Sequence, residues 1–138
     1  MNNWIVLPTV LPAMTAALLI LALPHHLKHQ RVVSVGSTLL TLALAIGLLV
    51  LAGDGVPRAY FLGNWPAPFG IVLVLDRLSA IMLMLTAALA LMVAVYACAG
   101  WDKRGRHFHA LLQFQILGVN GAFLTGDLFN LFVFFEVM

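Results

Sequence analysis

One carboxylate in this sequence stands where carboxylates are expensive. Glu136 lies near the end of an almost wholly apolar, Phe-rich run, Leu128 to Phe135, and Asp127 opens that run. On a helix rising ~1.5 Å per residue, Glu136 falls roughly 13–14 Å beyond Asp127. If Asp127 marks the edge of a hydrocarbon layer ~30 Å thick, Glu136 reaches close to the midplane. A charge at that depth costs on the order of 3 kcal/mol even on lenient scales, so such groups face a bundle interior or a water path and serve a function. The matching chemistry is proton transfer. Desolvation favours the neutral acid and a neighbouring ammonium favours the carboxylate, so small changes in pairing load and unload a proton. A direct sodium site on Glu136 fits less well, because hard cations want several oxygens and the neighbours are Phe, Val and Leu. At ~100° per residue Asp127 and Glu136 lie on opposite sides of the helix, so no direct relay joins them. The alternative for Glu136 is a carboxyl merely held by neighbouring helices.

Other polar groups are candidates for supporting roles. Gln113, Gln115 and Asn120 interrupt an apolar segment, and Gln113 and Asn120, seven residues apart, share a stripe. A polar stripe in lipid must face protein or water, which leaves open a wall of a hydrated path or plain helix–helix hydrogen bonding. Asp76, beside Arg77, could help form an ion entrance; an interfacial partner for Arg77 or a loop is the simpler reading. His25 and His29 have chelating spacing but no third ligand nearby, and Cys98 is the single cysteine. No disulfide framework, cysteine-based metal site or iron–sulfur cluster is expected, and no glycine fingerprint announces a nucleotide. The expectation is a protein with no cofactor and no metal.

The elements that position these groups are membrane helices. Hydrophobic residues make up 63% of the 138-residue chain and charged ones 9%, against about a quarter charged in soluble domains; mean hydropathy is +1.06. The solvent is lipid. The net charge of +2 is too small and dispersed for nucleic acid. The fold class is all-α integral membrane, a single domain over 1–138, with helices over about 5–23, 32–51, 73–99 (its spanning part from about Ser79), 108–124 and 128–138. Pro24 ends the first. Ala43 and Gly47 offer a small-residue contact on the second, and Ser79 and Thr86 share a face of the third. The loop 52–70, with Tyr60, Phe61, Trp65, Pro66 and Pro68, reads as an interfacial cover that could include a small hairpin. Four helices are complete; the fifth stops at Met138 with about half of the ~20 residues a span requires, and the expectation is a piece of a longer chain. Lys28, Arg31, Lys103, Arg104 and Arg106 lie in two connections on one side, with Arg58 and Arg77 on the other. The positive-inside rule puts the first side in the cytoplasm and the N-terminus outside.

The segment Gly126 to Met138 resembles the fifth helix of the antiporter-like membrane subunits, shared by Mrp-type multisubunit cation/proton antiporters and the proton-pumping arm of respiratory NADH–quinone oxidoreductase. The segment Leu62 to Ile71, followed by Asp76 to Ala80, is similar to the D-type member of the Mrp set. The resemblance implies a bacterial inner-membrane subunit of about fourteen helices, built on two inverted five-helix repeats, the first starting near the fourth helix here. It implies that Glu136 is the family's essential fifth-helix glutamate, paired with a lysine on a later helix that this chain does not contain. It also implies partners: other membrane subunits, the lipid bilayer, protons, and Na+ or another monovalent cation. The expected activity is exchange rather than enzymatic catalysis. The alternatives are a proton-pumping subunit of an NADH–quinone oxidoreductase-like complex, or a nonconducting truncated assembly subunit.

Overall fold

The computed structural model describes residues 3–23, 25–65 and 70–138. The stop expected at Pro24 and the aromatic cover's Pro66 and Pro68 fall outside them. After a 3-10 turn at Asn3–Val6, α1 runs over Leu7–Leu21 and α2 over Leu27–Leu51. Strands β1 (Arg58–Phe61) and β2 (Val72–Leu75) follow, then α3 (Arg77–Ala97), α4 (Phe108–Leu124) and α5 (Leu128–Val137). Among the described residues three helical stretches are long and apolar enough to cross a membrane: Asn3–Leu21, Leu27–Asp54 and Arg77–Ala97. At 17 residues α4 is at the lower limit for a span. The protein is a multi-pass membrane protein of antiparallel helices.

Two boundaries differ from the sequence reading. The second helix begins at Leu27 rather than near 32, taking Lys28 and Arg31 into its first turns. Long cationic side chains on a terminal turn still reach the headgroups, so lipid does not forbid the extra turn. Residues 73–75, expected in the third helix, belong instead to β2, which pairs antiparallel with β1 in the register Arg58↔Leu75 to Phe61↔Val72. Alternation explains it: Leu73 and Leu75 are buried while Val72 and Val74 are only half covered, the period-2 pattern of a strand. Asp76 then starts α3 by accepting from the Ser79 amide at 2.7 Å.

The hairpin closes one end of the bundle. Its β2 face joins Ile5, Ala45, Leu48, Ala80, Leu83 and Leu124 in the apolar core. Arg77 Nη2 donates to the Gly53 carbonyl at 2.6 Å and Arg58 pairs with Asp54 at 2.5 Å. Elsewhere small side chains let helices approach. Ala87, Ala90, Ala94 and Ala97 are buried on α3, whereas Ala43 and Gly47 face outward and line a groove with Trp4 and Leu40. The opposite end, where α1 meets α2 and α3 meets α4, is polar. Gln30 Nε2 donates to the Leu23 carbonyl at 2.7 Å, and Arg106 Nη2 donates to His25 Nε2 at 3.1 Å, so the two basic connections come together.

Candidate functional site

The fifth helix is seated by a cap at its start and by α4 along one side. Asp127 caps it, accepting from the Phe129 amide at 2.6 Å and the Asn130 amide at 3.3 Å, and it also takes the Asn130 side-chain amide. A carboxylate at a helix N-terminus satisfies free donors and meets the positive end of the helix dipole. Just before it, the Gly126 amide donates to the Val72 carbonyl at 2.8 Å, tying the α4–α5 turn to the hairpin. Along its length α5 lies on two glycines of α4. A Cβ at Gly121 would stand 2.2 Å from the Phe134 ring, and one at Gly118 would stand 2.5 Å from Met138 Cγ. No other residue leaves room for that approach.

This seating sets where Glu136 points. Phe134 lies against α4, and Glu136 is two residues on, ~200° around the helix. It is exposed, in company with Phe132, Val133 and Phe135, and has no hydrogen-bond or ionic partner among the described residues. The structure therefore presents a carboxyl outward from an apolar helix face, with no partner among the described residues.

The remaining predicted residues do not gather around it. Asp127 is a cap at the start of α5, and Asp76 is a cap on α3, its acidity increased chiefly by the Ser79 amide bond. Gln113 and Asn120 are fully buried and face the other way, into α1 and α2. Gln113 Nε2 donates to the Ser34 carbonyl and to Thr38 Oγ1, each at 3.1 Å. Asn120 Nδ2 donates to the Pro8 carbonyl at 2.9 Å. The reason is local: Pro12 has no amide to offer the carbonyl four residues before it, and Asn120 supplies the missing donor. Gln115 is exposed.

Sequence reasoning missed an ionic cluster at the basic end. Asp102 is 1% exposed and holds Arg31 in a two-pronged pair, Nε to Oδ2 at 2.6 Å and Nη2 to Oδ1 at 2.7 Å. His109 Nε2 meets the same Oδ2 at 3.1 Å. The Arg31 guanidinium bonds hold the Asp102 carboxyl down to about 2, against the cost of burial. Ligand atoms of Cys98, Asp102 and His109 come within 4.8 Å of one another, a convergence not visible in the sequence. The set does not fit a resident cation, because Arg31 already occupies both carboxylate oxygens and burial raises the Cys98 thiol. The cluster ties α2, the α3–α4 connection and α4 together.

This fold is shared with known proteins. No family model matches the chain. All of it aligns, at 50% identity, with 27% of a probable K(+)/H(+) antiporter D-type subunit of Rhizobium meliloti, and at 42% identity with 28% of a Na(+)/H(+) antiporter D-type subunit of Alkalihalophilus pseudofirmus. Among solved structures, all of it superposes on 26% of a chain of the Mrp complex from a Dietzia species, with a TM-score of 0.92 and 34% identity. It covers 28% of a chain of the membrane-bound sulfane sulfur reductase, an archaeal respiratory membrane complex, with 96% of its own residues, a TM-score of 0.80 and 26% identity. Over its whole length the chain is therefore similar to antiporter-like membrane subunits, and among them to the D subunits of K(+)/H(+) and Na(+)/H(+) antiporters; it spans about a quarter of the length of the curated relatives it matches.

Proposed function

We propose that this chain forms part of a membrane subunit of a multisubunit monovalent cation/proton antiporter, and that Glu136 is its proton-carrying carboxyl. The observation that supports this most is the outward position of Glu136, without a partner among the described residues, on an apolar helix whose other side is locked to α4. A carboxyl held at that depth by packing alone has no local reason to exist. Facing a cationic partner on another helix, it becomes a two-state group, because neutralising one member of a buried pair leaves the other with its full desolvation cost. The partners are then other membrane helices and subunits, protons, and Na+ or K+. Asp127 and Asp76 act by fixing helix starts. The basic end, with Lys28, Arg31, Lys103, Arg104 and Arg106, lies in the cytoplasm of a bacterial inner membrane, with the N-terminus outside.

The test is cation-triggered collapse of a proton gradient in everted vesicles carrying the complete complex, energised by ATP with no NADH present. Na+ and K+ are each added. A response lost in Glu136→Gln at equal protein level supports the reading; one that persists removes Glu136 from the proton path. The likeness to an archaeal respiratory complex favours one second reading, a redox-driven proton pump. No cation response in the unmodified complex, with proton movement restored by a reductant, would select it.

A further inference from the structure

Three polar atoms on one stripe of α4 are buried and have no hydrogen-bond partner among the described residues: His109 Nδ1, Gln113 Oε1 and Asn120 Oδ1. The three side chains are fully buried. Their orientations are fixed by their other bonds. Only an N–H can meet the Ser34 and Pro8 carbonyls, so the amide oxygens of Gln113 and Asn120 are the free ends. Likewise only an N–H at Nε2 can meet the ionised Asp102, so Nδ1 is the free end of that ring. Two of the orphans are therefore acceptors and the third is a ring nitrogen, each able to bond a group that both donates and accepts. A buried polar atom left unmatched costs about 1–3 kcal/mol, and three on one face of one helix are not scattered defects.

Their surroundings are polar as well. Facing them, α2 buries Gln30, Ser34, Ser37, Thr38 and Thr41. Thr15 of α1 reaches Ser37 at 2.8 Å. The orphans span roughly 16 Å along the helix at ~1.5 Å per residue. That is too far apart for one ion, and the interval carries hydroxyls that both donate and accept. The ligand that both donates and accepts, fits singly and bridges to hydroxyls is water, which normally makes about three bonds to otherwise unmatched buried groups.

We propose that the interface of α1, α2 and α4 is a hydrated seam: water molecules seated on His109, Gln113 and Asn120 form a column that exchanges with bulk solvent at the basic end, beside Asp102 and Arg31. The seam is separate from the face bearing Glu136, and its existence does not depend on the antiporter reading.

X-ray radiolytic labelling of the full-length protein in its complex, in membranes, tests this, since hydroxyl radicals born from bound water oxidise adjacent buried side chains. Ile116, 2% exposed between Gln113 and Asn120 on the stripe, is compared with Ile46 and Ile81 on the outer surface. The expected result is several-fold faster oxidation of Ile116, falling toward the outer isoleucines in the Gln113→Leu, Asn120→Leu double variant. Mixing with H2-18O before the pulse should put the heavy isotope into the oxidised Ile116. Oxidation of Ile116 no faster than that of Ile46 and Ile81 in the unmodified protein overturns the seam. Oxidation without isotope uptake overturns its opening to solvent. Neither readout uses transport, so failure of the Glu136 reading would leave this result unaffected.

Discussion

Two carboxylates of this chain sit on helix bundles in opposite ways. Asp102 lies inside the fold, 71 residues from its partner Arg31 in sequence, with both oxygens engaged and His109 as a second donor. Glu136 lies on the outside of α5 with no partner among the described residues. Inside the α1–α2–α4 interface, the polar groups that bond one another hold helices in place. On the α5 face, a polar group with no mate among the described residues stands in an apolar setting, and the proposed function makes it the group that carries the proton.

Substitutions separate these roles, and the largest effects belong to the inner cluster. Arg31→Met leaves the buried Asp102 with only His109 as a partner, the most damaging loss of this set. Assembled complex in the membrane should fall severely, measured by native gel or detergent-solubilised melting. The same pair sets an acid limit. With Asp102 held at about 2, below the usual ~3.9 of an unfolded chain, its stabilisation is complete above about pH 4. It is lost as the pH falls toward 2, and detergent-solubilised protein should lose an increment of stability over that interval that Asp102→Asn lacks. Next comes Gly121→Leu, which drives a side chain into the Phe134 ring. Overpacking of this kind costs about 1–3 kcal/mol, and the expected signature is lost transport at a modest loss of complex, because α5 is displaced with Glu136 on it. Asn120→Leu frees the Pro8 carbonyl and should cost about 1–3 kcal/mol, seen as a lower melting temperature. The smallest effect is Asp127→Ala, loss of a helix cap worth about 1 kcal/mol, with transport retained if Asp127 only starts the helix.

The parts legible in the sequence were those written in contiguous residues. Leu128 to Phe135 is so apolar that helix, membrane and the anomaly of Glu136 follow together. The inner cluster was not legible because nearer cations obscured it. Asp102 is followed at once by Lys103 and Arg104, yet the helix ends bring it to Arg31, and Arg104 instead stacks on Trp101 at 4.0 Å. A signal for the polar interior was present, however. Gln30, Ser34, Thr38 and Thr41 recur at helical spacing on one side of an otherwise apolar span, which in lipid points to a buried polar contact. Gln113 and Asn120 were legible as inward-facing residues, but their direction was not, since it depends on which helix supplies the unmatched Ser34 and Pro8 carbonyls.

The most direct test sets the two carboxylates side by side. Complexes carrying Glu136→Gln or Asp102→Asn are quantified in everted vesicles, and Na+- or K+-triggered proton release is expressed per assembled complex. The account predicts that Glu136→Gln leaves assembly unchanged and abolishes release, whereas Asp102→Asn lowers assembly and leaves release per complex near normal. Normal release from Glu136→Gln complexes would contradict it.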